Sequence, residues 1–175
     1  MTQNTFSSLT AQPQPCFLVD RMLGRLAKWL RILGYDTVYL PQLSPQGLMR
    51  EGGRQGRIIL TRDTRFLRQK NAPAFIFVHD DHFRKQLRQV TDSCHLDPVQ
   101  TLFTRCSACN QPLAIVEKKT VQSLVPEYVR QTQDEFRRCP ACQRLYWSAT
   151  HKEHVLDELR KMGLIGDSDE KKAKS

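Results

Sequence analysis

The sequence has no apolar run long enough to cross a bilayer, and its first residues have neither the basic start nor the apolar middle of a secretion signal. It is also short of acidic residues, with 18 Asp and Glu against 27 Lys and Arg, which gives a formal charge of +9. The first absence predicts a cytoplasmic protein. The excess of positive charge predicts a polyanionic partner, of which nucleic acid is the commonest. The alternative is that this charge only keeps the protein in solution.

The chain has six cysteines, and the spacing of four of them is informative. Four of the six cysteines form two C-x-x-C pairs, Cys106–Cys109 and Cys139–Cys142, separated by 29 residues. In a cytoplasmic chain this pattern predicts a structural Zn²⁺ site in a zinc ribbon, with two unconnected redox pairs as the alternative. The gap exceeds the roughly 15–20 residues of a compact ribbon, so we expect a segment such as Val125–Tyr128 to loop out. Cys16 and Cys94 are predicted to be buried as small apolar residues.

A short apolar segment, Cys16–Val19, predicts a buried strand, and the pattern then changes to helical spacing. One face of this helix is apolar and consists of Leu23, Leu26, Ala27, Leu30 and Leu33. The opposite face carries Arg25, Lys28 and Arg31. Gly34 supplies the residue that commonly ends a helix.

The rest of the first hundred residues alternates strand and helix patterns. The further strands are predicted at Thr37–Leu40, Arg57–Thr61 and Ala74–Val78, and the helices at Gln46–Gln55, Thr64–Lys70 and Phe83–Val90. This alternation predicts a parallel sheet covered by helices on both faces. The most basic part of the chain coincides with this sheet, since residues 1–100 contain 14 Lys and Arg against 8 Asp and Glu.

Aspartates follow three of the four predicted strands. Asp20 follows the first, Asp63 the third, and the pair Asp80–Asp81 the fourth. Parallel strands end at one edge of their sheet, so these carboxylates are expected to face one crevice, where they can hold a divalent cation. The alternative is that each Asp only caps the helix that follows it.

Several segments together resemble the Mut-seven C-terminal RNase family. They are "FLVDRMLGRLAKWLRILGYDT", "GRIILTRD", a strand ending in "VHDD", and "CPACQRLYWSATHKEHVLDEL" after the first C-x-x-C pair. The resemblance extends from Phe17 to Leu159. It implies a PIN-like three-layer α/β/α parallel sheet followed by a small zinc ribbon and a C-terminal helix. It also implies a ribonuclease that uses Mg²⁺ or Mn²⁺.

The resemblance assigns roles to particular residues. Asp20 and Asp63 match acids that bind the catalytic metal, and Asp80 or Asp81 matches the later acidic position. The predicted RNA-binding residues are Arg21, Arg25, Lys28, Arg62, Arg65 and His151. The arginines beside the acids either bind phosphates or form ion pairs with those acids, and Trp29 and Trp147 either stack on bases or pack in the core.

One acidic position of the PIN-like pattern has no clear counterpart. Related nucleases carry another acid on the helix before the "TRD" strand, where this chain has Leu43–Gly47 and, nearby, Glu51. Either Glu51 replaces that acid or the metal site has one ligand fewer. The second possibility makes the chain an RNA-binding adaptor, on a PIN-like scaffold, whose catalysis is weakened and whose ribbon contacts RNA.

Other classes fit less well. A haloacid-type phosphatase needs a second Asp two positions after the first, and that position is Met22. A receiver domain needs a Lys after its last strand, and Val78–Asp81 contains none. A ribbon that binds only protein does not account for the basic sheet. We therefore expect four segments: a disordered lead (1–15), the PIN-like domain (16–100), the ribbon with its C-terminal helix (101–165), and a disordered tail (166–175).

Overall fold

The structure, a computed structural model, describes residues 14–147 and 150–166; the predicted lead before residue 14 and the tail after residue 166 lie outside this range. Its strands are β1 (Phe17–Val19), β2 (Thr37–Tyr39), β3 (Ile58–Thr61), β4 (Phe75–Phe77), β5 (Ala114–Val116), β6 (Phe136–Arg138) and β7 (Leu145–Trp147). Its α-helices are α1 (Gly24–Ile32), α2 (Pro45–Gln55), α3 (Phe83–Cys94), α4 (Lys118–Val121), α5 (Glu127–Thr132) and α6 (Thr150–Lys161). Short 3₁₀ helices occupy Arg21–Leu23 and Thr64–Arg68. Within the described ranges, no helix has the length and apolar character needed to span a membrane.

The first four strands form one parallel sheet in the order β2-β1-β3-β4. Its centre is fully buried, because the side chains of β1 alternate between two apolar layers. Phe17 and Val19 pack with α1 and α3, whereas Leu18 packs with Leu48 of α2 and with Phe66. The predicted α/β fold with a parallel sheet flanked by helices is confirmed.

The second helix forms despite its three glycines, because both of its ends are stabilised. Ser44 Oγ accepts a hydrogen bond from the Gly47 amide at 3.2 Å, and Pro45 occupies the first turn. Gly52 lets α2 approach β3 closely, since a Cβ at this position would lie 2.6 Å from the Ile59 side chain. The helix predicted at Gln46–Gln55 is confirmed, and its close packing on β3 explains one of its glycines.

The ribbon is a three-stranded antiparallel sheet in the order β5-β6-β7. The long segment between the two cysteine pairs forms α4 and α5, whose valines pack on the buried Phe136. Val125 is one of these core residues, and α5 begins at Glu127. The expectation that Val125–Tyr128 loops out is therefore wrong, because this segment supplies apolar side chains to a core that the three short strands cannot build alone.

The last helix returns to the parallel sheet. Val155, Leu156 and Leu159 of α6 are buried in the same apolar cluster as α1 and α3. Arg84 of α3 donates two hydrogen bonds to Glu158 Oε2, at 2.7 and 3.0 Å. The sequence groups this helix with the ribbon, whereas its apolar face packs against the sheet.

Candidate functional site

The carboxyl ends of the two central strands are joined through one buried hydroxyl. Thr61, the last residue of β3, is fully buried, and its Oγ1 donates a hydrogen bond to Asp20 Oδ2 at 2.7 Å. The same oxygen accepts a hydrogen bond from the Asp63 amide at 3.0 Å. Asp20 follows β1, and its own amide donates to Leu60 O on β3 at 2.9 Å. The parallel sheet thus brings Asp20 and Asp63 together from positions 43 residues apart in the sequence.

Asp20 is not a side-chain helix cap. Its carboxylate makes no capping hydrogen bond with the 3₁₀ turn that follows, although its carbonyl accepts one from the Leu23 amide at 3.0 Å. The residue is only 6% exposed, and among the described residues Thr61 is the one hydrogen-bond donor to its carboxylate. Within the same residues no Lys, Arg or His forms an ion pair with it. A buried carboxylate is normally paired with a cation or binds a metal, and Asp20 has no protein cation in contact.

Asp63 has a different environment, because Arg65 surrounds its carboxylate. Arg65 Nε lies 2.9 Å from each Asp63 oxygen, and the Arg65 amide donates to Oδ1 at 2.9 Å. These hydrogen bonds, the side-chain ones first, hold the pKa of Asp63 below its ordinary value. Asp63 is therefore anionic at neutral pH, and Arg65 is the group that any incoming cation has to replace.

The acids after β4 are tied to the start of α3. Asp80 accepts hydrogen bonds from the His82 amide at 2.8 Å and from Lys85 Nζ at 3.0 Å, and these bonds lower its pKa to about 2. Asp81 is exposed and forms an ion pair with Arg62 at 2.5 Å. Asp80 and Asp81 thus follow the expected strand but share no hydrogen-bonding group with Asp20, and their metal-binding role stays a prediction.

Glu51, the acid considered as a replacement on the preceding helix, pairs within its own helix. Its oxygens accept hydrogen bonds from Arg54 at 2.7 and 3.0 Å and from the Gln55 side chain. The Arg54 contacts, followed by that of Gln55, lower the pKa of Glu51 to about 2. None of the described contacts joins Glu51 to Asp20 or Asp63.

The four paired cysteines converge on one point. Their Sγ atoms all lie within 4.8 Å of one another, with 3.5 Å between Cys106 and Cys142 and 3.4 Å between Cys109 and Cys139. Tetrahedral Zn²⁺ with Zn–S bonds of about 2.3 Å places its sulfurs about 3.8 Å apart, so the cluster fits this ion. It is the one group of three or more His, Cys, Asp or Glu within such a distance among residues 14–147 and 150–166. The predicted four-cysteine cluster is confirmed, and two separate redox pairs do not explain it.

Each cysteine pair is followed by a residue in the left-handed region, at φ 71° for Asn110 and 61° for Gln143. In each pair the amide of the second cysteine lies 3.5 Å from the Sγ of the first, as Cys109 does with Cys106. Tyr146 Oη lies 3.0 Å from Cys106 Sγ. The two halves of the site thus have the same local geometry, which the C-x-x-C spacing predicts.

The first cysteine pair is attached to the sheet by Arg31, a contact that the sequence analysis missed. Arg31 was expected on the basic face of α1, opposite its apolar face, but it is 8% exposed. Its Nε donates to Thr37 O at 2.8 Å, and its Nη1 donates to Ala108 O at 2.8 Å and Ser107 O at 3.4 Å. The signal was present in the sequence, because Arg31 is the one charged residue within the apolar segment Trp29–Leu33.

Asn110 completes this attachment from the ribbon side. Its Oδ1 accepts a hydrogen bond from the Thr37 amide at 2.9 Å, and its Nδ2 donates to Asp36 Oδ1 at 2.8 Å. Arg57 also pairs with Asp36, at 2.7 Å. The edge strand β2 is therefore bonded to the loop that contains two of the cysteines.

The predicted RNA-binding residues fall into three groups. Arg21, which lies just after β1, is exposed, as are Arg25 and Lys28 of α1. Arg62 and Arg65 form ion pairs with Asp81 and Asp63, which is the alternative to phosphate binding that the sequence left open for them. The His151 side chain lies outside the described residues. Of the tryptophans, Trp29 is buried and stacks on Phe83 at 5.7 Å, and Trp147 is 37% exposed.

Comparisons with known proteins identify a family. A family model described as the Mut7-C RNAse domain matches residues 15–159, which include both the carboxylates and the cysteine cluster. No curated protein and no solved structure matches the chain.

Proposed function

Because the chain belongs to the Mut7-C RNAse domain family, we propose that it is a metal-dependent ribonuclease that hydrolyses RNA phosphodiester bonds beside Asp20 and Asp63. The observation that carries this proposal is the Asp20 carboxylate, which is buried, is held by Thr61, and forms no ion pair with a cation among the residues that the structure describes. Carboxylate oxygens are the ligands that Mg²⁺ and Mn²⁺ prefer.

Asp20 and Asp63 are the residues that would hold the cation, with Asp80 or Asp81 binding directly or through water. A bound Mg²⁺ or Mn²⁺ supplies a water of lowered pKa and neutralises charge on the phosphate. Thr61 fixes both acids at once, since its hydroxyl bonds the Asp20 carboxylate and the Asp63 backbone. Because Thr61 is fully buried, this arrangement is rigid before substrate arrives.

Arg65 has two successive roles in this proposal. In the free protein it keeps Asp63 ionised through its side-chain hydrogen bonds. A divalent cation held by Asp63 would take the place of the Arg65 guanidinium at these oxygens, and Arg65 would then be available to bind a pair of phosphate oxygens. Arg65 is largely exposed, so its side chain is free to make this move. Arg21, exposed beside Asp20, supplies a second cation at the same edge.

The four cysteines would bind one structural Zn²⁺. All four positions of a tetrahedral site are then taken by sulfur, so this ion has no place for a reacting water. Its contribution is to fold the ribbon, whose strands have only three residues each.

Cleavage of a labelled single-stranded RNA with Mn²⁺ or Mg²⁺ tests the proposal. Asp20→Asn and Asp63→Asn are expected to abolish cleavage while RNA affinity and melting temperature stay near those of the wild type. Asp92→Asn, which removes an exposed acid from α3, is the matched control and should cleave normally. Cleavage that persists in both site variants would show that the activity comes from a contaminant or another site.

A second candidate is an RNA-binding adaptor with weakened catalysis. The contacts of Glu51 favour it. Glu51 is the acid nearest to the helix position that lacks one, and its carboxylate already accepts hydrogen bonds from Arg54 and Gln55. The same assay separates the candidates: an adaptor binds single-stranded RNA but does not cleave it at any Mn²⁺ concentration, and the Asp variants bind as the wild type does.

A further inference from the structure

A cavity of about 500 Å³ lies between the start of α1 and the start of α3, and the carboxylate in its lining is that of Asp81. Its wall is formed by two short segments that flank Asp20 and Asp80 in the sequence. The lining residues that matter here are Met22, Arg25, His82, Phe83, Arg84 and Lys85. It therefore opens at the same edge of the sheet as the proposed cleavage site.

One part of the cavity wall is the flat, positively charged guanidinium group of Arg25. The guanidinium of Arg25 lies 3.6 Å from the centre of the Phe83 ring, and that ring stacks on Trp29 at a centroid distance of 5.7 Å. Phe83 and Trp29 are buried, so the stack rests on the core, whereas Arg25 itself is exposed. Within the described residues Arg25 forms no ion pair with a carboxylate. Its outer face is thus a rigid, charged plane on which a nucleobase can stack.

Next to this plane the cavity has both an apolar surface and further cations. Met22 is 64% exposed and lines the cavity, so it offers apolar surface there. Lys85 and Arg84 extend from α3, each paired with one acid, and the one acid of the lining is the exposed Asp81. Apolar surface for a base, with cations for its phosphate, is the chemistry of a single-stranded nucleic-acid subsite.

We propose that this cavity binds one unpaired nucleotide next to the cleaved phosphate, with its base stacked on Arg25 and Met22 and its phosphate near Lys85. The inference rests on the proposed ribonuclease function. It adds substrate selection to that function, since a base in a duplex is stacked between its neighbours and cannot enter a cavity. The protein is therefore expected to select single-stranded segments.

Affinity for a labelled single-stranded RNA and for a duplex of the same length, measured by fluorescence anisotropy without added Mg²⁺ or Mn²⁺ and without a chelator, tests the subsite without cleavage and with the zinc ribbon intact. Arg25→Ala should lower single-strand affinity by about 5- to 100-fold, the range that one base–side chain stack supports. Arg25→Lys, which keeps the charge but lacks the plane, should also lose affinity. Met22→Ala should weaken single-strand binding without changing its salt dependence, because no charge is removed. A DNA strand of the same sequence shows whether the 2′-hydroxyl matters.

Arg50→Ala is the matched control, since it removes an exposed positive charge from α2, away from the cavity. It should change affinity by about twofold or less. RNA containing 4-thiouridine should crosslink to the peptides that contain Met22 or Lys85. Equal affinities of Arg25→Ala and Arg50→Ala, or crosslinks confined to other peptides, would overturn the subsite.

These outcomes separate the subsite from the ribonuclease proposal. If the wild type cleaves RNA and the Arg25 variants bind it normally, the subsite is refuted and the ribonuclease stands. If the wild type binds but never cleaves, and the Arg25 variants lose binding, the subsite is supported and the ribonuclease is refuted.

Discussion

Arg31 connects the zinc ribbon to the parallel sheet, so its removal should destabilise both. Its two hydrogen bonds of 2.8 Å, to Thr37 O and Ala108 O, come from a charged and largely buried donor. Such bonds contribute about 1.5–3 kcal/mol each, and Arg31→Ala also leaves acceptors without a partner. We expect the free energy of unfolding to fall by about 3–5 kcal/mol, a large share of the roughly 5–15 kcal/mol of a typical domain.

The assay uses the two tryptophans, one in each part of the chain. Trp29 lies in the core of the sheet and Trp147 lies on β7 of the ribbon. In a Trp147→Phe background, urea unfolding followed by fluorescence reports on the surroundings of Trp29 alone. Lys28→Ala, an exposed position of the same helix, is the control, with an expected change within about 0.5 kcal/mol.

Chelation of zinc distinguishes a stabilising connection between the ribbon and the sheet from a packing effect of Arg31 within α1 alone. In the Trp147→Phe protein a chelator should lower the unfolding midpoint reported by Trp29, because loss of the metal disorders the carbonyls that Arg31 binds. In the additional Arg31→Ala variant the chelator should have a smaller effect on Trp29. An unchanged stability of Arg31→Ala, or the same chelator effect in both proteins, would refute this reasoning.

Three further predictions concern the site, the C-terminal helix and the metal. Thr61→Val should lower RNA cleavage about 10- to 100-fold, because it removes the hydroxyl that holds Asp20, whereas Thr61→Ser should retain most of it. Glu158 has its pKa lowered, chiefly by hydrogen bonds from Arg84, so its stabilising effect is present above its ordinary pKa of 4.5 and disappears as pH falls through the lower folded-state value. The difference in melting temperature between wild type and Glu158→Gln should thus be largest near neutral pH and should shrink as the pH falls below 4.5; a difference that persists in strong acid would contradict this. Metal analysis should find about one zinc per chain, falling in Cys106→Ser, and metal-free protein purified under reducing conditions would refute the ribbon assignment.

The parallel sheet was predictable because its strands are short apolar segments alternating with helices. Even so, local composition does not account for two segments by itself. The glycines of α2 argue against a helix, but Gly52 is required by the close approach to Ile59. Val125 looks like part of a loop because Pro126 follows it, yet it fills the core of the ribbon. In both cases contacts between distant parts of the chain decide the structure, and sequence periodicity does not report these contacts.

The sequence predicts where the candidate site lies, but not which side chains contact one another there. Strand ends predicted correctly that Asp20 and Asp63 lie at one edge of the sheet. Nothing in the sequence shows that Thr61 joins them, since a threonine at the end of a strand is ordinary. The contacts of Arg65 with the Asp63 carboxylate and of Arg25 with the Phe83 ring depend on side-chain conformations, which the sequence does not report. The cysteine cluster was the easiest feature to predict, because four soft ligands at fixed spacing have few alternatives.

The ribbon is anchored to both helices that carry the edges of the proposed RNA site. On one side Arg31 binds it to α1, whose first turn leads back to Asp20 and bears Arg25. On the other side the chain leaves the ribbon as α6, where Glu158 holds Arg84 at the start of α3. The cavity lies between the beginnings of these two helices, so its width depends on how they sit relative to each other. We therefore expect removal of zinc from the ribbon to weaken RNA binding by loosening the positions of α1 and α3, even if the ribbon never contacts the nucleic acid.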